Sequence, residues 1–239
     1  MPVTKPKGYV LWRGLSPINH QPIVAVLTIT SANRKTGDMA QVWILCENGD
    51  PVDNVQDGGD VAICGDCPHR TNSMGQRSCY VNVGQAPLSV YRGWQRGIYP
   101  HIRTVSDDQI RRALAKRAIR WGAYGDPSVL PASIVDHLNG MASAWTGYTH
   151  QWRQPWAQWS RGIFQASCDG LLDYLEASDN GWRTFTVVKK GYTPDYARQC
   201  PATVENSQAQ CATCKLCNGS RSDIFVNAHG RGASYVVAS

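Results

Sequence analysis

Several things are scarce or missing in this chain of 239 residues, and each absence removes a class of function. Charged residues make up only 18% of it, and its formal net charge of +6 is scattered, with no Lys/Arg-rich tail. The longest basic run, Arg111, Arg112, Lys116, Arg117 and Arg120, follows acidic residues and reads as a solvated helix face more than a nucleic-acid patch. No apolar run approaches the length of a membrane span. Residues 1–14 hold prolines and lysines but no apolar signal region, so the expectation is a soluble, cytoplasmic protein. Neither GxGxxG nor GxxxxGK[ST] occurs, so no phosphate-cradling loop is expected, and there is no Gly-x-Ser-x-Gly nucleophile elbow. Internal repeats and low-complexity stretches are also missing. Phe is rare, with three against nine Trp, several of them between Trp145 and Trp159.

Against these absences stand nine cysteines. In a reducing compartment disulfides are rare, so clustered cysteines point to metal or redox work. The sharpest group is Cys200, followed by Cys211-Ala-Thr-Cys214-Lys-Leu-Cys217. Three cysteines at two-residue spacing can turn inward around one centre. Thiolate sulfur is soft and suits iron–sulfur clusters and zinc. Four cysteines close either a cubane or a tetrahedral zinc site. The C-x2-C-x2-C run favours the cubane, because zinc sites usually show two separate pairs. A loop of free cysteines is the bland alternative.

A second group is Cys64-Gly-Asp-Cys67-Pro-His69 with Cys79 beyond it. A lone C-x2-C could be a redox pair, a metal half-site or an accident. Pro68 and a polar loop follow, which does not suit a thioredoxin-like helix start. These cysteines either hold a second metal with His69 or Cys79, or lend a ligand to the first cluster. Cys46 lies within a strand and reads as a small buried hydrophobe.

The residue pattern predicts an α/β fold. Residues 22–30 (PIVAVLTIT) and 41–47 (QVWILCE) read as two strands of an N-terminal β-hairpin, and residues 48–60 as a loop. A helix is expected at 88–95, and another after Ser106, which N-caps a segment with acidic residues in its first turn. From about residue 106 strand and helix alternate: strands at 119–121, 146–150, 162–167, 182–189 and 222–228, helices at 133–144 and 170–177. Such alternation argues for a parallel sheet, either open or closed into a partial or complete βα-barrel of TIM type. The expected organisation is a single domain, 1–239, with a β-rich extension over 1–60 and a core over 61–239 carrying the cysteine loop 200–217.

In such folds sites gather at the carboxyl ends of strands. Asp126, His150, Ser167, Cys168, Asp169, Lys189, Lys190 and His229 fall there. Asp126, His150 and His229 are the catalytic candidates. Each has an ordinary explanation too: Asp126 can fix a turn before proline, His150 can hold a loop, and Asp169 can N-cap the following helix.

The segments KTGD (35–38), ICGDCPHR (63–70), CYVNV (79–83), GYTHQW (147–152), CP (200–201), CATCKLCNG (211–219) and AHGR (228–231) resemble a set of bacteriophage-encoded cysteine-rich proteins, the "gene product 88" family. The likeness runs from about residue 20 to residue 231. It implies a phage protein at work in an infected bacterial host, with an iron–sulfur cluster on Cys200, Cys211, Cys214 and Cys217. It also implies a barrel distantly similar to radical S-adenosylmethionine enzymes. The C-x3-C-x2-C motif of those enzymes is missing here, and four thiolates would leave no open iron. Three functions follow as expectations. The first is a [4Fe-4S] protein for electron transfer or sensing, with a redox or host protein as partner. The second is a radical or nucleic-acid-processing enzyme, and the third is a zinc-stabilised interaction protein.

Overall fold

The structure is a computed structural model that describes residues 6–229 and 232–236. The last two residues of the AHGR segment, and part of the polar N-terminus, lie outside them.

The chain opens with an antiparallel meander. β1 (Gly8–Leu15) pairs with β2 (Pro22–Thr28), and β2 with β3 (Ala40–Cys46). The expected hairpin of residues 22–30 and 41–47 is therefore present, but β1 precedes it and extends it. The run of β-branched and Leu residues in β2 is buried on both faces, which explains its unbroken apolar character.

The loop expected over residues 48–60 contains a helix, α1 (Pro51–Asp57). Its signals are local: the Asp50 carboxylate accepts from the Val52 and Asp53 amides, Pro51 opens the helix, and Gly58 ends it in the left-handed conformation at φ 83°. The polar composition of the segment concealed them. One turn of helix, α2 (Val61–Cys64), follows, then the polar loop carrying Cys67, His69 and Cys79.

α3 (Ala86–Gln95) and α4 (Asp107–Leu114) return the chain to β4 (Ile119–Tyr124), which lies parallel to β3. α4 has the expected Ser106 cap, completed by Gln109 as a capping box. Arg111 and Arg112 lie exposed on it, as the charge run predicts, but Arg120 does not. It sits in β4 and is buried.

After α5 (Ala132–Asn139) the chain forms two short strands, β5 (Trp145–Thr146) and β6 (Tyr148–Thr149). β5 closes the first sheet, of order β1-β2-β3-β4-β5, and β6 opens the second, of order β6-β7-β8-β10-β9. The second sheet holds β7 (Gln165–Cys168), β8 (Thr184–Val188), β9 (Arg198–Gln199) and β10 (Ile224–Asn227), all parallel. α6 (Leu171–Asp179) joins β7 to β8, and the turn α7 (Cys211–Cys214) lies between β9 and β10. Among the described residues the strands form these two open sheets, with no closed ring of strand pairs.

Gly147 is the joint between the sheets. A Cβ there would lie 2.6 Å from Phe164 and 3.1 Å from the Trp121 side chain, so only glycine lets the chain pass. Trp121 is fully buried at this seam, and its indole N–H donates to Asn139 Oδ1 at 2.9 Å. A smaller apolar cluster under α6 contains Trp152, Cys168 and Trp182. The Trp side chains at these positions are packed inside and are not an exposed stripe.

Candidate metal centre

The C-terminal cysteine loop is held at both ends by backbone hydrogen bonds. The Cys200 amide donates to Phe225 of β10 at 2.9 Å, and the carbonyl of Cys217 accepts from Gly147 at 3.0 Å. Its middle docks on the turn after β2. The Cys211 and Ala212 amides donate to the carbonyls of Lys35 and Thr36 at 3.1 and 2.9 Å, and Gln210 Nε2 donates to Arg34 O at 3.0 Å. The KTGD segment is thus the cradle of the loop. Gly37, at φ 67°, is needed there because a Cβ would lie 2.7 Å from Gln210. Lys215 takes the left-handed conformation at φ 56° and ends α7, which turns the chain so that Cys217 goes inside.

The four cysteines share one electrostatic environment. Burial pushes the Cys217 thiol well up, and Cys200, Cys211 and Cys214 push it further by their proximity. Burial also raises Cys211, opposed by the positive Arg120 guanidinium, with Cys200 and Cys214 again close enough to be felt. Burial raises Cys200 as well, helped by Cys214. The spacing is nevertheless open. Among the described residues, no three cysteine sulfurs come within 4.8 Å of one another. A tetrahedral zinc–thiolate cage needs S···S separations of about 3.8 Å, from Zn–S bonds of about 2.3 Å. The donor set is soft, which suits an iron–sulfur cluster or zinc, and no three of its sulfurs are drawn together as a zinc cage would need.

The second cysteine group lies across from the first. Arg70 pins its loop, donating to Asp60 Oδ1 at 2.6 and 2.9 Å and to the carbonyls of Gly65 and Gly58 at 3.0 and 2.9 Å. Gln151 Nε2 donates to Cys64 O at 3.1 Å and to Asp66 Oδ1 at 2.8 Å. Burial raises the Cys64 thiol well above its ordinary range, and nearby Cys67, Asp60 and Cys79 add to it. Cys67 Sγ lies 3.8 Å from His150 Nε2. Cys46 and Cys168 are buried apart from both groups, each donating its thiol to a backbone carbonyl.

The strand-end residues divide. Asp126 is buried at the end of β4 and accepts four hydrogen bonds: from Ser128 N and Oγ at 3.0 and 2.8 Å, from Thr149 Oγ1 at 3.0 Å, and from the His150 amide at 2.8 Å. It fixes a turn, as its ordinary explanation holds, and it also ties the end of β4 to the end of β6. The expected N-cap role of Asp169 is not realised. Gly170 occupies the cap position of α6 with no side-chain cap, and the Asp169 carboxylate turns instead to His69, at 2.8 Å, and His150, at 3.5 Å. His229 lies exposed, its ring stacked on Tyr80 at 6.1 Å. Lys189 and Lys190 are exposed, whereas Ser167 is buried.

Between the cysteine groups lies a cavity of about 300 Å³ with a largely apolar wall. Cys64, Cys67 and Cys79 line it, as do Cys200 and Cys211. Asp126, His150 and His229 also reach it. β4 contributes Arg120, Gly122 and Tyr124, alternate residues that share one face, while Trp121 faces the core. The Arg120 guanidinium donates to the Tyr80 hydroxyl, and Tyr124 OH is buried with no hydrogen-bond partner. Arg120, Tyr80 and Tyr124 escaped the sequence reading. The period-two pattern of residues 119–124 is the signal that would have found Arg120 and Tyr124.

Comparison with family models, with curated proteins and with solved structures finds no match. Among the described residues, no helix is long and apolar enough to cross a membrane.

Proposed function

We propose that this chain is an iron–sulfur redox protein holding one [4Fe-4S] cluster on Cys200, Cys211, Cys214 and Cys217. The observation that carries the reading is the gathering of four thiols in one loop, Cys217 feeling the other three, with no three sulfurs drawn as close as a zinc cage needs. The cluster would supply one-electron transfer. Around it this chain's own residues do the tuning. Burial lowers the local dielectric, and the Arg120 charge beside Cys211 offsets the negative charge of ligating thiolates. Four thiolates close a cubane, so the reading is electron transfer or sensing and not radical chemistry at an open iron.

The likeness to phage "gene product 88" proteins agrees with this, and so does a reading of the two sheets, joined through Gly147, as one partial βα-barrel. The setting would be the cytoplasm of an infected bacterium, with a redox or host protein as partner.

The cavity favours a second reading, an enzyme acting on a small ligand held beside the cluster. Its volume lies at the lower end of ligand pockets, and a few polar groups, Arg120, Asp126 and His229, converge on an otherwise apolar wall.

The test is an ultraviolet–visible spectrum with iron, sulfide and zinc analysis on anaerobically purified protein. The expected result is a brown protein with about four iron atoms per chain, bleached by Cys217→Ser. A colourless protein holding zinc on the same cysteines would overturn the cluster and put a zinc-stabilised interaction protein in its place.

A further inference from the structure

His69, His150 and Asp169 come from three separate parts of the chain. His69 follows α2, His150 follows β6, and Asp169 follows β7. Their ligand atoms nevertheless lie within 4.8 Å of one another, the one group of three or more His, Cys, Asp or Glu among the described residues that does so.

Two features make this group unlike an ordinary ion pair. His69 Nε2 and Asp169 Oδ1 are 2.8 Å apart and shut off from solvent, an ion-pair distance at which neither atom makes a well-aligned hydrogen bond. They approach off the axis along which an N–H would donate. His69 Nδ1 meets the Ser78 hydroxyl at 2.8 Å. With its proton on Nδ1, His69 turns the Nε2 lone pair toward a carboxylate oxygen. Two lone pairs that close repel each other unless a cation lies between them. A hydrogen bond on the far nitrogen is how metal-bound histidines are held.

The rest of the group is fixed in the same sense. Asp126 accepts the His150 amide and anchors its backbone, and the His69 and His150 rings meet edge-on at 5.5 Å between centroids. His69 and His150 both border the cavity.

We propose that His69, His150 and Asp169 bind one divalent transition-metal ion, zinc or ferrous iron, separate from the C-terminal cysteines. Two imidazoles and one carboxylate leave coordination positions free. Because His69 and His150 border the cavity, water or an oxygen-bearing ligand from it would complete the ion. The inference stands independently of the cluster.

The test titrates zinc alone into the full chain, stripped of loosely bound metal, against a chelating indicator. One ion is expected to bind. His69→Ala and the isosteric Asp169→Asn should each weaken it by at least about a hundredfold, with cluster colour unchanged. Zinc binding equal to wild type in both folded variants would overturn the proposal and leave a plain ion pair. Should the variants fail to fold, zinc-edge X-ray absorption on the wild type decides. A shell containing nitrogen and oxygen at about 2.0–2.1 Å supports the site, and an all-sulfur shell at about 2.3 Å overturns it. Cys211→Ser/Cys217→Ser should abolish the brown colour and keep the ion, so the two readings fail separately.

Discussion

Removing the Asp126 carboxylate should destabilise the protein strongly, because one buried group joins two strand ends. Its Oδ1 serves Ser128 twice, and its Oδ2 serves Thr149 and the His150 amide. Hydrogen bonds to a charged group contribute about 1.5–3 kcal/mol each, but neighbours in one network do not add. Burial also opposes the charge and pushes the Asp126 carboxyl above its ordinary range despite the hydrogen bonds from Ser128 and Thr149. Part of the gross gain is therefore already offset. Asp126→Ala leaves the Ser128 and His150 amides in a buried place without an acceptor, at about 1–3 kcal/mol each. A net loss of about 4 kcal/mol follows, a large share of the roughly 5–15 kcal/mol of a typical domain. Asp126→Asn keeps the shape and one acceptor oxygen but sets an amide NH2 against existing donors, and should cost about 2 kcal/mol. Urea unfolding followed by circular dichroism measures both. At about 2–4 °C per kcal/mol, the alanine variant should melt roughly 10 °C lower. A loss below about 1 kcal/mol for Asp126→Ala, with an unchanged denaturant slope, would refute the reasoning. It would mean that water reaches these donors and that Asp126 does not hold the two strand ends together.

Two further substitutions probe the frame around the cysteines. Trp121→Ala empties a fully buried indole site at the seam between the sheets and orphans Asn139 Oδ1. It should cost about 3–5 kcal/mol by chemical denaturation, and a cost near zero would mean that the seam is loosely packed. Gly65→Ala forces a side chain onto a residue at φ 58°, ψ −131°, with its Cβ 2.4 Å from Gln151 Nε2. A loss of about 2 kcal/mol is expected, with faster thiol labelling of Cys64 and Cys67 as their loop shifts. Unchanged stability and labelling together would show that the loop does not depend on this turn.

Much of the local structure was legible because it depends on near neighbours. β2 and β3 follow from β-branched apolar runs, α4 from Ser106 and the acidic residues after it, and α6 from its apolar stretch. The cysteine loop was legible for the same reason: the two-residue spacing of Cys211, Cys214 and Cys217 brings three thiols to one side of a single turn and the bend after it. α1 was missed although Asp50, Pro51 and Gly58 are sound local signals, because polar composition was weighed above capping. Arg120 was misjudged because it was counted with a run of like charges on a helix face although residues 119–121 read as a strand, where alternate residues face opposite sides.

The composition and spacing of the residues determined by themselves that this is a cysteine-rich α/β chain with four of its cysteines gathered in one loop. Only the tertiary structure decided that this loop docks on residues 34–36 and that a cavity separates it from Cys64, Cys67 and Cys79. The same holds for His69, His150 and Asp169, where a residue of the loop after α2 meets the ends of two neighbouring strands. Spacing along a chain governs contacts within a turn or two. Strand order, set by burial of whole apolar faces, governs which distant residues come to share a site.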